Sequence, residues 1–527
     1  MVNSKQIFQV DGKPFFPLGA QCGTNNTYYP GGLDQFWRVA EAMRLNTAEL
    51  QVFWELLEPV EGQYDFAQVD RLIGECRAHG VRMVLIWFAT WKNGEMKYAP
   101  DWVKQDRQRF RRVVNEAGVE QLVLSSHCQA TYEADVRALL ALVQHLKDVD
   151  GEQRTVIALQ LENESGIFGA ARDHGPEAEA DYYRPVPQDL LAAISECPDS
   201  PVYAAWQANG AKPAGSWPEV FGRDADEFMT AWSIASYINR EAAAVRRVYD
   251  LPLYVNVWMQ EAGFEYPGLD YPSGGPVYKV LDIWKWATPD IDAVCPDNYS
   301  TYYSQFRRYC AQYQRPDNPL FIPEATSQTY LNWTPFVAIG EFDCLGYGCM
   351  GHVYNIVDEA GNIPESRVGI VQSFRDLSDI TPLLADYYGT GRIHALVQEP
   401  GMEERLVKID GWDILVHFVQ SLKGKEVPPR KPAGAMGAGL LVQTGRNEFY
   451  VVGNDFSLEI HRAQPADARW PEHAAAIRPQ AVDYLLTEEG YFDEKGWRAF
   501  SRRNGDSNDN GVVLMPQTRV MHVVMDE

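Results

Sequence analysis

Two glutamates of this chain each follow a short apolar run that is typical of a strand buried on both faces. The first run covers residues 155–161 and leads to Glu164, and the second covers residues 320–323 and leads directly to Glu324. When parallel strands close into a barrel, their carboxyl ends converge on one face, and catalytic groups lie there. Two carboxyl groups about 5–5.5 Å apart are what retaining hydrolysis of a glycosidic bond requires.

The two carboxylates would have different roles in such a reaction. Glu164 is expected to be the general acid/base, because apolar surroundings and a neighbouring carboxylate would raise its pKa. Glu324 is expected to stay ionised and to attack the anomeric carbon, with Tyr299 as a candidate hydrogen-bond donor to it. Asn163 could hydrogen-bond a sugar hydroxyl, with the 2-OH as the candidate. Strand alternation would place Glu162 on the face of Glu164, and we interpret it as a supporting carboxylate.

The elements that must position these residues alternate between strand and helix, which predicts a parallel sheet. No GxGxxG or Walker motif follows the first strand, which disfavours a nucleotide-binding sheet and favours an α/β fold of the (β/α)8 TIM-barrel class. The predicted strands are a run ending at residue 21 and residues 47–53, 81–87, 155–161, 253–259, 291–296, 320–323 and part of 346–353. The predicted helices cover residues 33–43, 66–76, 136–146, 228–249 and 373–388.

The hydrophobic periodicity changes near residue 390, where β-rich runs are separated by turn residues. We therefore predict a catalytic barrel over residues 1–388, with an N-terminal hairpin, and a C-terminal β-sandwich-like domain over residues 389–527. Residues 166–225 have no clean periodicity and are predicted to form a long insertion. Since it follows the fourth strand, this insertion should lie over the catalytic face.

Composition and charge narrow the classes of partner. The formal net charge of −25 argues against nucleic acid and against an anionic membrane surface as partners. No apolar run approaches the length of a transmembrane helix, and no signal-peptide pattern opens the chain. A cytoplasmic location is therefore expected, although a chain trimmed of a leader would look the same. A homo-oligomer is compatible with all of these features.

The cysteines and histidines give no sign of a metal centre. Eight cysteines are scattered without a CxxC pair, which favours reduced, structural cysteines over a disulfide framework. No HExxH motif occurs, and the ten histidines are dispersed. The hydrolysis outlined above needs no cofactor, so neither a metal nor an organic cofactor is expected.

Three segments resemble glycoside hydrolase family 35. Gln160-Leu-Glu-Asn-Glu164 looks like its Gln-x-Glu-Asn-Glu segment, and residues 54–66 resemble its Trp-x-x-x-Glu-Pro-x-x-Gly-x-Tyr-Asp-Phe stretch. Residues 85–104 are similar to a bacterial subgroup with its own type of C-terminal β-domain. The resemblance implies a (β/α)8 barrel that releases terminal β-linked galactose with retention. Glu164 stands at the family position of the acid/base, and Glu324 at that of the nucleophile.

One loop departs from the family pattern. The main branch of family 35 has a Cys-Ala-Glu-Trp-type loop after strand three, whose glutamate helps to hold galactose. Residues 89–94 here read Ala-Thr-Trp-Lys-Asn-Gly, with no acid at that place. How the 4-OH and 6-OH are recognised is therefore open, and so is a strict preference for galactose. Family 42 β-galactosidases share much of the same clan pattern and remain a close neighbour.

Several further residues are predicted to bind the sugar. Trp91, Lys92 and Asn93 lie in the altered loop and are expected to line the −1 or +1 subsite. The apolar face of a sugar packs on aromatic rings, so tryptophans at strand ends are candidates, with a place in the barrel core as the alternative. The remaining candidates for substrate contact are Trp54, Glu55, Trp258 and Tyr299.

The sequence thus favours a retaining, exo-acting β-galactosidase whose partner is a β-galactoside oligosaccharide. One alternative is another β-glycosidase of the same clan, such as a β-glucosidase, a β-mannosidase or an endo-acting enzyme. A second alternative is a non-catalytic carbohydrate-binding protein, which the presence of both carboxylates disfavours. The C-terminal domain could bind carbohydrate, support the barrel or form an oligomer interface.

Overall fold

The N-terminal part of the chain folds as a parallel β-barrel surrounded by helices. Seven strands pair in the order sixth, fifth, fourth, third, second, first and eighth. The barrel strands are Leu18–Gln21, Thr47–Phe53, Arg82–Lys92, Val156–Asn163, Leu253–Val257, Ala293–Pro296 and, as the eighth, Tyr347–Cys349. The computed structural model describes residues 7–526 except 352, 359, 419–420, 423–424, 427–434, 464–482, 494, 509–510 and 515–517.

The seventh strand is an extended segment that closes the ring through single bridges. Asn298 pairs with Ala325 on the side of the sixth strand, and Ile322 pairs with Tyr347 on the side of the eighth, both in parallel register. Pro323 interrupts the segment, and because proline has no backbone N–H it cannot support a continuous ladder. The predicted (β/α)8 class is confirmed, with a seventh strand that is less regular than expected.

Helices return the chain between strands and cover the outside of the barrel. The helix Ala67–His79, for example, ends at Gly80, whose φ of 67° is a conformation that glycine adopts without steric cost. Among the described residues, no helix has both the length and the apolar character that crossing a bilayer would require. The α-helices, labelled α1 to α14 in chain order, are Asp34–Met43, Trp54–Leu57, Ala67–His79, Asp101–Gln105, Gln129–Asp150, Pro176–Tyr182, Gln188–Ser195, Pro201–Ala208, Trp217–Phe221, Ala225–Val248, Leu281–Ala287, Tyr303–Tyr313, Thr334–Phe342 and Glu365–Tyr387.

The insertion at residues 166–225 is not an irregular loop, because it contains the four short helices α6 to α9. Each has only five to eight residues, which is too short to show a helical repeat in the sequence. Their starts are set locally instead. The helices α6 and α8 begin with proline, and Ser216 and Glu219 form a capping box at α9.

Two short antiparallel hairpins accompany the barrel. The N-terminal hairpin joins Phe8–Val10 to Lys13–Phe15, and the second joins Arg112–Val114 to Glu120–Leu124. The turn of the first consists of Asp11 and Gly12, both with positive φ, as a two-residue type I′ turn requires. This confirms the predicted N-terminal hairpin.

The C-terminal part forms two antiparallel sheets around a shared core. The six-stranded sheet consists, in spatial order, of Ile393–Val397, Ala438–Gly445, Glu448–Asn454, Val520–Met525, Tyr484–Asp493 and Gly496–Arg502. The four-stranded sheet consists of Glu404–Ile409, Trp412–His417, Phe456–Arg462 and Val512–Leu514, and a short hairpin joins Ser421–Leu422 to Lys425–Glu426. Apolar side chains of both sheets pack in one buried cluster, so the predicted β-sandwich-like architecture is confirmed.

The helix α13 packs closely against the six-stranded sheet at Gly340. A Cβ atom built on Gly340 would lie 2.4 Å from the backbone N of Ala395 and 2.8 Å from Leu440. We expect Gly340→Ala to destabilise the protein by about 1–3 kcal/mol, because backbone has to move to admit the methyl group.

The matched control is Gly74→Ala, in the exposed middle of α3, where an added Cβ meets no atom within 4 Å. This change should stabilise the helix by up to about 1 kcal/mol, because alanine has the higher helix propensity. Thermal unfolding midpoints of both variants test the contact. Equal and positive shifts in the two variants would contradict the close approach of α13 to the sheet.

Candidate active site

Three acidic side chains meet at the carboxyl ends of the fourth, sixth and seventh barrel strands. One carboxylate oxygen of each of Glu164, Asp297 and Glu324 lies within 4.8 Å of the other two. All three residues are less than one tenth exposed, and they line a cavity of about 510 Å³. These carboxylate oxygens are closer together than the two carboxyl groups of inverting glycosidases. Those groups are about 6.5–9.5 Å apart and leave room for a water between them.

The backbone at the end of the fourth strand is strained. Glu162 and Glu164 have φ values of 61° and 44°, and Asn93 opposite them has a φ of 55°. Non-glycine residues seldom adopt this left-handed conformation, which persists where surrounding contacts enforce it and is frequent at functional sites. It also breaks the alternation of side chains, so the expectation that Glu162 shares a face with Glu164 is wrong.

Glu162 instead supports the end of the third strand. Its two carboxylate oxygens accept hydrogen bonds from the backbone N–H groups of Thr90, at 3.1 Å, and Trp91, at 2.7 Å. It forms a second buried acidic cluster with Asp135 and Glu241, away from the cavity. Both acidic clusters offer the oxygen ligands that hard cations prefer, so a cation at either would be held by these carboxylates.

Glu164 is poised to exchange a proton near neutral pH. Burial, and then the charge of Glu324, raises the pKa of Glu164 to about 7, while the ammonium of Lys92 acts in the opposite direction. The backbone N–H of Glu164 donates to Asn256 Oδ1 at 2.8 Å, which helps to fix the residue in its strained conformation. A carboxyl group with such a pKa can act as a general acid and, once deprotonated, as a general base.

Glu324 is held by one strong donor and has one free oxygen. The hydroxyl of Tyr299 donates to Glu324 Oε2 at 2.7 Å. Burial, and then the charge of Glu324, raises the pKa of Tyr299 well above its usual value, so the phenol remains a donor. Glu324 Oε1 accepts no hydrogen bond from the described residues. Bond formation at that oxygen would therefore break no hydrogen bond to the described residues.

Asp297 is a site residue that the sequence analysis missed. Asn256 Nδ2 donates to Asp297 Oδ2 at 2.7 Å. Burial, followed by the charges of Glu324 and Glu164, raises the pKa of Asp297 well above its usual range, which favours its protonated form. A signal was present, because Asp297 directly follows the sixth strand as Glu324 follows the seventh run.

Four of the remaining candidates line the cavity together with the three acids: Lys92, Asn93, Trp258 and Tyr299. Trp258 is braced from behind by Phe168 of the insertion, with ring centroids 5.5 Å apart in an edge-to-face arrangement. Other residues that line the cavity were not predicted from the sequence. They lie in the loops after several strands: Thr24, Lys97, Tyr98, Met259, Glu261 and Met350.

Asn163 is fully buried and does not line the cavity. Its Oδ1 accepts hydrogen bonds from Gln160 and Asn256, at 3.2 and 3.3 Å, and its Nδ2 donates to Asn93 Oδ1 at 3.4 Å. The expected contact with a sugar hydroxyl is therefore corrected to a supporting role, because these amides hold the ends of neighbouring strands in place.

Trp91, Trp54 and Glu55 also do not reach the cavity. Trp91 is buried in the barrel wall with its ring edge-to-face against Tyr237, because the third strand continues to Lys92 and successive side chains alternate. Trp54 is fully buried in α2 and donates from Nε1 to Glu58, and Glu55 forms an ion pair with Lys104 at 3.3 Å. Full burial contradicts the predicted sugar contacts of Trp91 and Trp54, whereas that of Glu55, which is partly exposed, stays a prediction.

Two family models match parts of the chain. Residues 32–193 match the model described as Beta-galactosidase of glycoside hydrolase family 42, the neighbour of the family whose motifs the chain resembles. Residues 370–515 match a domain of unknown function, DUF5597. The second match begins inside α14, so the proposed domain boundary after residue 388 remains a prediction.

A β-galactosidase of Xanthomonas manihotis is 29% identical over 179 residues, which cover 33% of this chain and 27% of that protein. The chain thus matches little more than a quarter of that relative's length. Among solved structures, a β-galactosidase from Bacillus circulans sp. alkalophilus has 14% identity and a TM-score of 0.49, covering 73% of this chain and 58% of its own. One from Marinomonas ef1 has 12% identity and a TM-score of 0.47, covering 71% and 61%.

The barrel fold follows from the strand pairing described above. The family 42 match concerns the first half of the barrel, which holds the second to fourth strands together with Glu164. Residues 32–193 are therefore similar to the β-galactosidases of glycoside hydrolase family 42.

Proposed function

We propose that this protein is a retaining, exo-acting β-galactosidase that removes terminal β-linked galactose from oligosaccharides. The observation that carries the proposal is the approach of Glu164 and Glu324 within 4.8 Å at the mouth of the barrel. The pKa of about 7 for Glu164 and the hydrogen bond from Tyr299 to Glu324 support a division of roles between them. The similarity of residues 32–193 to family 42 supports the choice of galactose.

In the first step, Glu324 Oε1 attacks the anomeric carbon while Glu164 gives its proton to the glycosidic oxygen. The bond from the anomeric carbon to that oxygen breaks, and the sugar becomes α-linked to Glu324 as an ester. Tyr299 keeps the other carboxylate oxygen in place by its hydrogen bond. Burial, and then the charge of Glu324, raises the pKa of Asp297 well above its usual range, which disfavours a further negative charge in the site.

In the second step, Glu164 removes a proton from water, which attacks the anomeric carbon and breaks the ester. The product is β-galactose, and both glutamates return to their first states. Esterification of Glu324 removes the negative charge that raises the pKa of Glu164. The pKa of Glu164 therefore falls in the intermediate, which suits the change from acid to base.

Lys92 and Asn93 are proposed to contact the sugar hydroxyls. They line the cavity in the loop where the main branch of family 35 has a glutamate. An ammonium and an amide there can form hydrogen bonds with the sugar hydroxyls that would otherwise donate to a carboxylate at this place. Trp258, braced by Phe168, is the proposed aromatic platform.

Initial rates on a panel of nitrophenyl β-glycosides test this function, with the anomer first released identified by proton NMR. We expect the β-galactoside to be the best substrate, β-galactose to appear first, and an oligosaccharide to lose single galactose units from its non-reducing end. Initial release of the α-anomer would contradict retention. Preference for another sugar, or internal cleavage, would favour another β-glycosidase of the clan, and no hydrolysis of any probe would favour a binding protein.

Tyr299→Phe removes the donor to Glu324 without changing the ring. Hydrogen bonds to charged groups contribute about 1.5–3 kcal/mol, so we expect kcat/KM to fall about 10- to 100-fold. The matched control is Tyr98→Phe, because Tyr98 also lines the cavity but donates to Asn25, at 2.9 Å. Steady-state kinetics measure kcat/KM of both variants. Equal losses of kcat/KM in the two would contradict a specific role of Tyr299.

Lys92→Met should move the basic limb of the pH profile upward. In the wild type, kcat/KM should fall as pH rises through about 7, because Glu164 must be protonated to act as the acid. Lys92 favours the ionised form of Glu164, so its removal raises that pKa further and extends activity to higher pH. Lys97→Met is the control, since Lys97 is half-exposed and has the weaker influence on Glu164. A downward shift in Lys92→Met would contradict this assignment.

A further inference from the structure

A second cavity, of about 410 Å³, lies outside the barrel between the start of α5 and the middle of α10. Residues of the insertion, among them Asp181, Pro185 and Trp217, form its outer wall. It shares no lining residue with the candidate active site. The second cavity is therefore a separate concave surface, for which the proposed reaction has no use.

The apolar part of the second cavity is aromatic. Trp217, Trp232 and Tyr237 all line it. Trp232 is half-buried and packs in part against the hydrophobic core, and its indole N–H donates to none of the described residues. The exposed part of its ring and its free donor are the pair of features that a pyranose ring can use.

The polar part of the second cavity is hydroxyl-rich and held in place. Ser126 Oγ and Ser233 Oγ lie 2.6 Å apart, so the pair can offer a donor and an acceptor to a ligand hydroxyl. His127 Nδ1 is hydrogen-bonded to Asp181 at 2.8 Å, which fixes the orientation of the ring. Arg240 lies over the ring of Tyr132, 3.5 Å from its centroid, and donates to Gln129, so its guanidinium is also positioned.

The charge of the second cavity differs from that of the chain. Two arginines, Arg184 and Arg240, line it with a single carboxylate, Asp181, whereas the chain has a net charge of −25. A local excess of positive charge suits a ligand that is neutral or carries a carboxylate. Aromatic platforms, paired hydroxyls and planar donors together are the chemistry that recognises sugar rings.

We propose that the second cavity is a non-catalytic glycan site that binds a pyranose ring between Trp232 and the Ser126–Ser233 pair. The choice of a glycan as ligand rests on the proposed function. Tyr237 connects the cavity to the barrel, because its buried ring packs on Trp91, one residue before Lys92 of the active site. A bound glycan would thus lie on the outside of the wall that carries the catalytic loop.

The test uses the full chain labelled with 5-fluorotryptophan in a Glu324→Gln background, which prevents turnover. The fluorine signal of Trp232 is identified by its loss in Trp232→Phe, and that of Trp258 by its loss in Trp258→Phe. β-1,4-Galactotetraose and tetragalacturonate are titrated separately, so the two arms distinguish a neutral from a carboxylated sugar. We expect a saturable shift of the Trp232 signal with at least one probe.

Ser233→Leu fills the second cavity without removing Trp232, and it should abolish the shift of Trp232 while that of Trp258 persists. Ser378→Leu on α14 is the matched control and should leave both shifts unchanged. In the otherwise wild-type chain, Ser233→Leu should change kcat/KM on a nitrophenyl β-galactoside by less than about twofold, because Ser233 does not line the candidate active site. Thermal unfolding midpoints establish that both leucine variants are folded.

No shift of Trp232 with either probe would overturn the proposal, and so would a shift that survives Ser233→Leu. Light scattering provides a third arm. A dimer that becomes monomeric in Ser233→Leu would show that a second copy of the chain occupies the cavity, which also overturns it. If Trp232 shifts but no glycoside is hydrolysed by the wild type, the proposed function fails while the glycan site stands.

Discussion

Glu324→Ala should lower kcat/KM on a nitrophenyl β-galactoside by about 10⁴-fold or more, because it removes the atom proposed to form the covalent bond. Glu324 lines the cavity, its Oε1 accepts no hydrogen bond from the described residues, and its Oε2 is held by Tyr299. The alanine side chain leaves space where that carboxylate stood. The pocket would otherwise stay intact, so binding of galactose should survive and can be measured by calorimetry.

Azide should restore part of this activity and reveal the role of Glu324 through the product. In Glu324→Ala, azide enters the vacated space and attacks from the face opposite the leaving group, so the product should be α-galactosyl azide. The matched control is Glu261→Ala, which removes an exposed carboxylate of the same cavity and should change kcat/KM far less. Formation of β-galactosyl azide by Glu324→Ala would contradict the assignment of Glu324 as nucleophile.

The strands could be predicted well where they are buried on both faces. The second strand, Thr47–Phe53, has the predicted bounds, because its apolar residues alternate with Glu49 and Gln51, a period of two that is typical of a strand. The third strand was predicted to end at residue 87, but it continues to Lys92, which pairs with Asn163. That extension explains why Trp91 turns into the wall while Lys92 faces the cavity.

The supporting contacts of the candidate site could not be predicted from local pattern. The left-handed backbone at Glu162 and Glu164 depends on partners far away in the chain, such as the Thr90 amide and the Asn256 side chain. Such strain persists only where tertiary contacts enforce it. The sequence identified the two candidate catalytic glutamates through their strands, but the contacts that aim them are tertiary.

Asp297 illustrates the limit of arguments from strand ends. Asp297 and Tyr299 both follow the sixth strand and are candidates for the cavity, but only Tyr299 was predicted to be a site residue. Both line it, because they are two residues apart and point to the same side. Because Asp297 is a third carboxyl group in the site, either Glu164 or Asp297 could be the general acid that protonates the leaving group.

Glu164→Ala should separate substrates by the acidity of their leaving groups. For a phenyl β-galactoside, whose leaving oxygen needs a proton, kcat/KM should fall about 10²- to 10⁴-fold. For a dinitrophenyl β-galactoside, which departs without protonation, the first step should be nearly unaffected. The second step would then be slow without its base, so the glycosyl-enzyme should accumulate and be detected by mass spectrometry. Azide should accelerate that step and yield β-galactosyl azide.

Asp297→Asn is the discriminating comparison, because it removes the rival proton donor and keeps the shape of the side chain. If Glu164 is the acid, Asp297→Asn should lower the rates on phenyl and dinitrophenyl β-galactosides by similar factors. The basic limb of the pH profile near 7 should then be absent in Glu164→Ala and present in Asp297→Asn. The opposite pattern would assign the proton to Asp297. We expect the first, because Glu164, with a pKa of about 7, can both release and take up a proton near neutral pH.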